Sequence, residues 1–349
     1  MTQTATPEWG TILLLGGSGR LGHYVAQELL RQPEQKTIIS LNRSESVKHP
    51  CPGVEYRQVD LCNSTALRQV MLETRPTAIF NLAAPAHANT LTPKSEFEQV
   101  FVHAQDLILE LAKEVSTKYL VTATSANVAA GDEHIDVDET ARLWPIDSTA
   151  FAYWVQRAEA ERRLLAADCT ELQTVSLRLP LIIGEMDYAF VPAVIKTLRE
   201  GKAAVQVGND TGLIATIPAS EAARAHILAL RRLMEADNNA HGEAFYITGK
   251  YPLSFWSMCH IVWKEAGWEE KTPTIMPRWL AQAIATVTET VMRPFGMEPT
   301  LSSHTIKFTC NTFTYNGAKA KERLGFLPEL DIEEELRKST RWSLKYEST

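Results

Sequence analysis

Long apolar runs, paired cysteines and clusters of positive charge are missing from this sequence, and each absence removes a class of function. No apolar stretch approaches the roughly 20 residues that a helix needs to span a bilayer. The first ten residues carry neither a basic segment nor an apolar core, so no signal peptide is expected. Cys51, Cys62, Cys169, Cys259 and Cys310 are odd in number, widely spaced and never in a CxxC pair, which argues against a disulfide framework and against a metal site. A reducing intracellular compartment follows, where the sequons at Asn63 and Asn209 stay unmodified. A cytoplasmic location is expected, with peripheral attachment to an internal membrane as its variant. The 35 Lys and Arg residues face 42 Asp and Glu, leaving a net charge of -7 with scattered basic doublets, so nucleic acid is not an expected partner. No linker, repeat or low-complexity tract interrupts the 349 residues, of which 45% are hydrophobic, enough for one large domain or two that share a core.

What is present begins with the apolar run from Thr11, which leads into Gly16-Gly-Ser-Gly-Arg-Leu-Gly22. A buried strand, a glycine turn and a helix make a phosphate cradle. Gly16 allows the turn, Gly19 lets backbone approach a pyrophosphate, and Gly22 lets the helix over residues 23–31 pack close. Ser18, Arg20 and Leu21 complete the loop, and the free N–H groups at the helix start face the anion. The alternative is a purely structural turn.

Further β-rich runs at residues 37–41, 78–82, 119–122 and 172–177 alternate with helical patterns, which predicts a doubly wound α/β fold on a parallel sheet. After Gly184 helical patterns dominate (residues 192–200, 220–236, 254–266 and 277–292), with one clear strand at 244–248. The expected organisation is a Rossmann domain over 10–184 and a smaller, mainly helical substrate region over 185–349, of which about 215–250 returns to the first domain. The charged tail over 319–346 is expected to be a helical surface cap.

The second predicted strand ends in Leu41-Asn42-Arg43-Ser44. A site that prefers NAD usually has an acid here for the ribose 2′-hydroxyl. Asn42 brings no charge to repel a 2′-phosphate and Arg43 can pair with one in forked geometry, so NADP is the favoured cofactor and NAD the alternative. Asp60-Leu61 closes a third strand and Asn81-Leu82-Ala83-Ala84 a fourth, where small residues let backbone lie against a flat ring and its ribose; an ordinary turn carboxylate is the alternative for Asp60.

Thr124 and Ser125 end another strand, and Tyr153 and Arg157 stand one turn apart on a helix. A tyrosine that exchanges protons near pH 7 must become more acidic than its usual value of about 10, and a fixed cation such as Arg157 promotes that. Ser125 then holds the substrate oxygen while a hydride crosses to or from a nicotinamide.

These residues resemble the extended short-chain dehydrogenase/reductases, in the branch of 3β-hydroxysteroid and sterol-4α-carboxylate 3-dehydrogenases, over residues 11–342. The resemblance rests on the glycine loop, Asp60-Leu61, Asn81 to Ala84, Thr124 to Ala126, Tyr153, Leu177-Arg-Leu-Pro180 with Gly184, and Ala225-His226. Gly242-Glu-Ala-Phe-Tyr-Ile-Thr248 and Lys319-Ala-Lys-Glu-Arg-Leu-Gly-Phe326 add to it. It implies that Tyr153 is the general acid/base with Ser125 as partner and Thr124 as the alternative hydroxyl. It also implies that Pro180 joins the cofactor contacts and that the C-terminal half shapes the substrate pocket. Arg157 stands where the family has lysine, and Phe101 where it commonly has asparagine. Arginine keeps the charge but cannot deprotonate, so cofactor binding survives and a proton relay through position 157 does not.

Sugar-nucleotide enzymes of this superfamily typically carry an arginine near Leu213-Ile-Ala-Thr-Ile217, and this chain has none there. A diphosphate substrate therefore loses a forked anchor worth up to about 3 kcal/mol, and a neutral lipophilic one is expected. Leu280, Ile284, Val287 and Val291 recur at helical spacing before Arg293-Pro-Phe-Gly296. They suggest a helix covering the core, with a pocket lid or an interfacial membrane contact as alternatives. His226 is expected to be packed and without a catalytic role. The expected function is NAD(P)-dependent interconversion of a secondary alcohol and a ketone on a sterol or terpenoid, with decarboxylation where a carboxylate sits beside the carbinol. A nucleotide-sugar epimerase or dehydratase and a non-catalytic NADP-binding regulator are the alternatives, and a homodimer is compatible with each.

Overall fold

The computed structural model describes residues 8–85, 91–237, 239–269, 272–292, 295 and 301–346. Among them, β1 (Glu8–Leu15), β2 (Gln35–Asn42), β3 (Val54–Gln58), β4 (Ala78–Asn81), β5 (Tyr119–Ser125), β7 (Gln173–Leu179) and β12 (Glu243–Tyr246) form one parallel sheet in the order β12-β7-β5-β4-β1-β2-β3. The strand order reverses between β1 and β4, which opens a crevice at the carboxyl ends of the strands.

Alternate residues of β1 explain its unbroken apolar run. Ile12 and Leu14 pack on one side with α1 (Arg20–Arg31) and α7 (Ala219–Met234). Leu13 and Leu15 pack on the other with α2 (Ser64–Thr74), α4 (Ala104–Glu114) and α5 (Ala152–Ala166). α5 is also tied to the sheet by a buried ion pair, Arg178 Nη2 to Glu161 Oε1 at 2.6 Å, with Ser176 Oγ donating to the same carboxylate at 2.7 Å.

The C-terminal half contains more strand than the single run expected. β13 (Leu253–Ser254), β10 (Leu213–Ile214), β15 (Phe313–Tyr315) and β6 (His134–Val137) form a small sheet. β11 (Thr216–Pro218) pairs with β8 (Leu181–Ile183), and β14 (Thr274–Met276) with β9 (Val205–Val207). Strands of two to four residues are too short to show an alternation. Among the helices here are α6 (Phe190–Arg199), α8 (Phe255–Glu265), α9 (Arg278–Met292) and α10 (Ser303–Cys310).

Two expectations are corrected. The tail is not one surface cap: it divides at Gly325, in the left-handed region at φ +68°, into α11 (Ala318–Leu324) and α12 (Ile332–Tyr346). Ile332 and Leu336 of α12 are fully buried with Ile183 and Met258, and Ser339 Oγ donates to the Gly184 carbonyl at 2.7 Å. The apolar stripe of α9 does not cover the core either. Ala281 and Ala285 meet Ile306 of α10, while Leu280, Ile284, Val287 and Val291 are exposed, Val287 by 63%. Small residues allow the close helix approach, so the larger ones are left on the neighbouring face. Of the motif after α9, Arg293, Pro294 and Gly296 lie outside the described residues.

His226 on α7 is fully buried against Phe80, its Nδ1 donating to the Ala222 carbonyl at 2.7 Å. Burial pulls this imidazole down to about 4. The unfolded chain takes up a proton below pH 6.5 that the folded chain refuses until about pH 4, so the associated stability is whole above pH 6.5 and is lost as the pH falls. Urea unfolding of the native chain and His226→Leu at pH 7.5 and pH 5 should show the native chain losing about 2 kcal/mol more than the variant. Equal losses would overturn this.

Candidate active site at the strand ends

β1 runs into Gly16 at φ +82°, where an added Cβ would meet the Ala83 Cα at 3.0 Å. At Gly22 a Cβ would lie 2.4 Å from the Gly17 Cα, so α1 can approach the turn only with hydrogen at this position. The helix begins at Arg20, earlier than the sequence pattern suggested. Its N-cap, Gly19, brings no side chain, no acid stands in the first turn, and the first-turn N–H groups have no partner within the helix. A Cβ on Gly19 would meet nothing closer than 3.4 Å, which leaves the space above it open.

Asn42 stands at the end of β2 as expected, but its side chain is turned inward. Its Oδ1 accepts from the Ser18 N–H at 2.8 Å and the Ser40 hydroxyl at 3.1 Å, so it braces the glycine turn. Arg43 and Ser44 hold the exposed positions beyond it. Arg20 reaches the other way, donating to the Ile182 carbonyl at 2.9 Å and lying 3.4 Å from Asp187. The Asp187 carboxylate in turn accepts from the N–H groups of Ala189, Phe190 and Val191 at the start of α6. Asp60 Oδ1 accepts from the Cys62 N–H at 2.9 Å and shapes the turn after β3.

A cleft of about 980 Å³ runs along these strand ends. Its walls contain the loop residues Gly16, Ser18, Gly19, Arg20, Leu21 and Gly22, then Asn42, Arg43, Ser44, Asp60 and Leu61, and then Leu82, Ala83 and Ala84. Thr124, Ser125, Tyr153, Arg157 and Pro180 line it too, so every residue read from the sequence as a catalytic or cofactor contact borders one cavity.

At the end of β5, Ser125 Oγ accepts from the Asn127 N–H at 3.2 Å, which leaves its own proton to be donated. The Thr124 hydroxyl is buried and has no partner among the described residues. Tyr153 and Arg157 sit in the first turns of α5, and the Tyr153 ring meets Phe97 edge-on at 5.7 Å. Arg157 is only 8% exposed. Its Nη1 donates to the Ala123 carbonyl at 2.8 Å and its Nη2 to the Ala83 carbonyl at 3.2 Å, while Nε is buried without a partner among the described residues. A phenol beside a fixed, buried cation and a serine hydroxyl can together hold an oxygen and move its proton.

Sequence reasoning missed further apolar lining from Val100, Phe151, Trp154 and Phe308. Phe151 and Trp154 flank Tyr153 and could have been found from that. Phe308 arrives from α10 with no sequence signal. The Leu213-Ile-Ala segment gave a weaker clue than expected: Ile214 and Ala215 are buried in packing clusters, and none of the three lines the cleft.

The residues present fit a dinucleotide. The turn gives bare backbone and an uncapped helix start at one end, Arg43 offers a cation at the rim, and the orphaned Arg157 Nε marks polar capacity at the other. The sequence profile of the 3-beta hydroxysteroid dehydrogenase/isomerase family matches residues 13–278. The decarboxylating sterol-4-alpha-carboxylate 3-dehydrogenase of Saccharomyces cerevisiae is 27% identical over 345 residues, covering 95% of this chain and 97% of its own. Among solved structures, UDP-glucose 4-epimerase of Thermotoga maritima with UDP-glucose superposes with a TM-score of 0.73 at 17% identity, over 96% of this chain and 99% of that one. The dTDP-glucose 4,6-dehydratase of Bacillus anthracis in complex with NAD gives 0.70 at 18% identity, over 97% of each chain. These two likenesses are of fold alone.

Proposed function

The chain belongs to the 3-beta hydroxysteroid dehydrogenase/isomerase family and is an oxidoreductase of CH–OH groups. We propose that it oxidises the 3-hydroxyl of a sterol carrying a carboxylate on the adjacent carbon, and that carbon dioxide then leaves. The observation that carries this is the apolar, aromatic wall of Phe151, Trp154 and Phe308 in the same cleft as Ser125 and Tyr153. Such a wall suits a flat polycyclic ligand and offers little to a sugar diphosphate. The name of the yeast relative supports the carboxylate.

A nicotinamide held along the strand ends supplies the hydride acceptor. Ser125 donates a hydrogen bond to the substrate oxygen, and Tyr153 removes its proton as the carbinol carbon loses hydride. Arg157 places a fixed guanidinium beside the phenol, and because a guanidinium does not give up its proton, the proton does not leave through it. In the resulting β-keto acid the bond to the carboxylate carbon breaks, its electron pair moves onto the ketone oxygen held by Ser125, and Tyr153 returns its proton to that oxygen.

NADP is the cofactor this reading favours over NAD. Asn42 stands where an acid would and spends its amide on the glycine turn, Arg43 and Ser44 follow it directly, and the Arg43 guanidinium has no ion-pair partner among the described residues. A sterol is delivered from lipid, and α9 offers a face for a lipid surface. Trp279 is 72% exposed, Phe295 is exposed beyond the helix end, and the Thr286, Thr288 and Thr290 hydroxyls donate to carbonyls one turn back, so they need no water. α10, on which α9 packs, carries Phe308 of the cleft. No helix among the described residues is long and apolar enough to cross a membrane, and the contact proposed for α9 is a peripheral one.

In a matched panel at constant detergent, 3-hydroxysterols with a 4-carboxylate should reduce the nicotinamide and release carbon dioxide, and sugar nucleotides should neither bind nor react. Tyr153→Phe should lower kcat by about 10²- to 10⁴-fold with cofactor affinity kept. Turnover of a sugar nucleotide with none of a sterol would refute the substrate class, and undiminished turnover in Tyr153→Phe would remove its role. For the cofactor, NADPH should bind more tightly than NADH by fluorescence titration, and Arg43→Ala should weaken NADPH alone by about tenfold or more. An equal effect on both cofactors would restore NAD. Val287→Glu with Val291→Glu should abolish co-sedimentation with phosphatidylcholine vesicles while leaving oxidation of detergent-dispersed sterol unchanged. Undisturbed vesicle binding would exclude α9 as the contact.

A further inference from the structure

We propose that Phe101 is a positioning residue for the proton-transfer pair, its ring holding the Arg157 guanidinium flat at the ends of β4 and β5 so that the charge stays beside Tyr153. The inference rests on the roles given to Tyr153 and Arg157 above and adds a third side chain to them.

Phe101 is 3% exposed and belongs to a π-helical turn, Glu98–His103, between the short helix α3 (Lys94–Phe97) and α4. Such turns insert an extra residue into a helix and redirect side chains, commonly at functional sites. Here the ring is brought under α5. The Arg157 guanidinium carbon lies 3.9 Å from the Phe101 ring centroid and 5.7 Å from that of Tyr153. The Phe101 ring also meets the Tyr153 ring at 5.2 Å and 87°, and it is backed by Phe97, nearly parallel at 6.0 Å. One aromatic side chain thus touches both members of the pair.

The chemistry of arginine explains why a ring is needed. Both Nη groups donate, to the Ala123 and Ala83 carbonyls, and such bonds fix a guanidinium within its plane but do little to stop it tilting out. A flat, electron-rich face on one side stops the tilt. Burial also strengthens the attraction, because no water competes for the charge. An ammonium is a point charge with no plane to hold, so this device is specific to arginine at position 157. A residue that only filled space, as the packing of Phe101 with Phe97 and Ala160 allows, could be replaced by any apolar side chain of similar volume.

The test is a double-mutant cycle of Phe101→Leu and Arg157→Met, with Phe101→Tyr as the variant that keeps the ring face. It is read by the dissociation constant of the reduced nicotinamide dinucleotide and by kcat and KM. Phe101→Leu should weaken dinucleotide binding and lower kcat by about three- to thirtyfold with KM for the alcohol nearly unchanged, and Phe101→Tyr should recover most of both. Once Arg157 is Met, Phe101→Leu should cost less than about twofold more. Equal costs in both backgrounds, or a Phe101→Leu variant that melts lower but binds and turns over as the native chain does, would overturn the proposal. If Arg157→Met alone changed nothing, the role of Arg157 itself would fall, and this inference with it. If no alcohol were oxidised, the binding arm of the cycle would still decide the Phe101 question, so failure of the reaction and failure of the inference are told apart.

Discussion

Backbone meets backbone where β1 turns into α1, and the rest of the cleft is arranged around that contact. With only hydrogen at Gly22, the first turn of α1 closes on Gly17, and the helix start is fixed against the sheet at a distance no side chain would permit. Two other strands register on the same spot. β2 sends Asn42 across to the Ser18 N–H, and the residues after β4 pass within contact of Gly16 through Ala83. The free N–H groups of α1 consequently point at the one place where the strand order reverses, which is where a parallel sheet leaves room for a ligand.

Arg157 does for the other end of the cleft what the glycine turn does for the first. Its fork joins a carbonyl beyond β4 to one within β5, so a charged side chain ties these two strand ends just past the last rung of their ladder. Arginine is suited to this because its planar donors reach two acceptors at once, and the same chemistry forbids it from carrying protons. A lysine would trade the tie for a mobile proton donor. This chain has the tie, with its buried charge next to a phenol.

The central sheet was legible in the sequence because both its faces are covered: β1 and β4 carry continuous apolar runs, and β2, β5 and β7 are rich in β-formers. The site residues were legible because they cluster where those runs stop. What sequence alone could not convey was direction. Asn42 was found at the right strand end, but nothing in its neighbours said that its amide turns back to Ser18. The stripe on α9 was found at helical spacing, yet a stripe reports which side is apolar and not which side is covered; two alanines made the close contact. The strands of two to four residues in the C-terminal half carry no period to detect, and Phe308 reaches the cleft only through tertiary folding.

The bond from Ser339 to Gly184 has a bearing on how the protein is made. Gly184 begins the loop that carries Asp187, the acid beside Arg20 of the glycine turn, and Ile183 just before it is sealed by Ile332 and Leu336. Residues 155 apart in the sequence thus share one small region. Before α12 is synthesised, the strands of the sheet can already pair, but the underside of this loop is bare hydrocarbon with no cover yet made. During synthesis the sheet can therefore be complete before the loop beside the glycine turn is, and a folding helper that shields apolar surface would find its target there, at the seam that α12 closes.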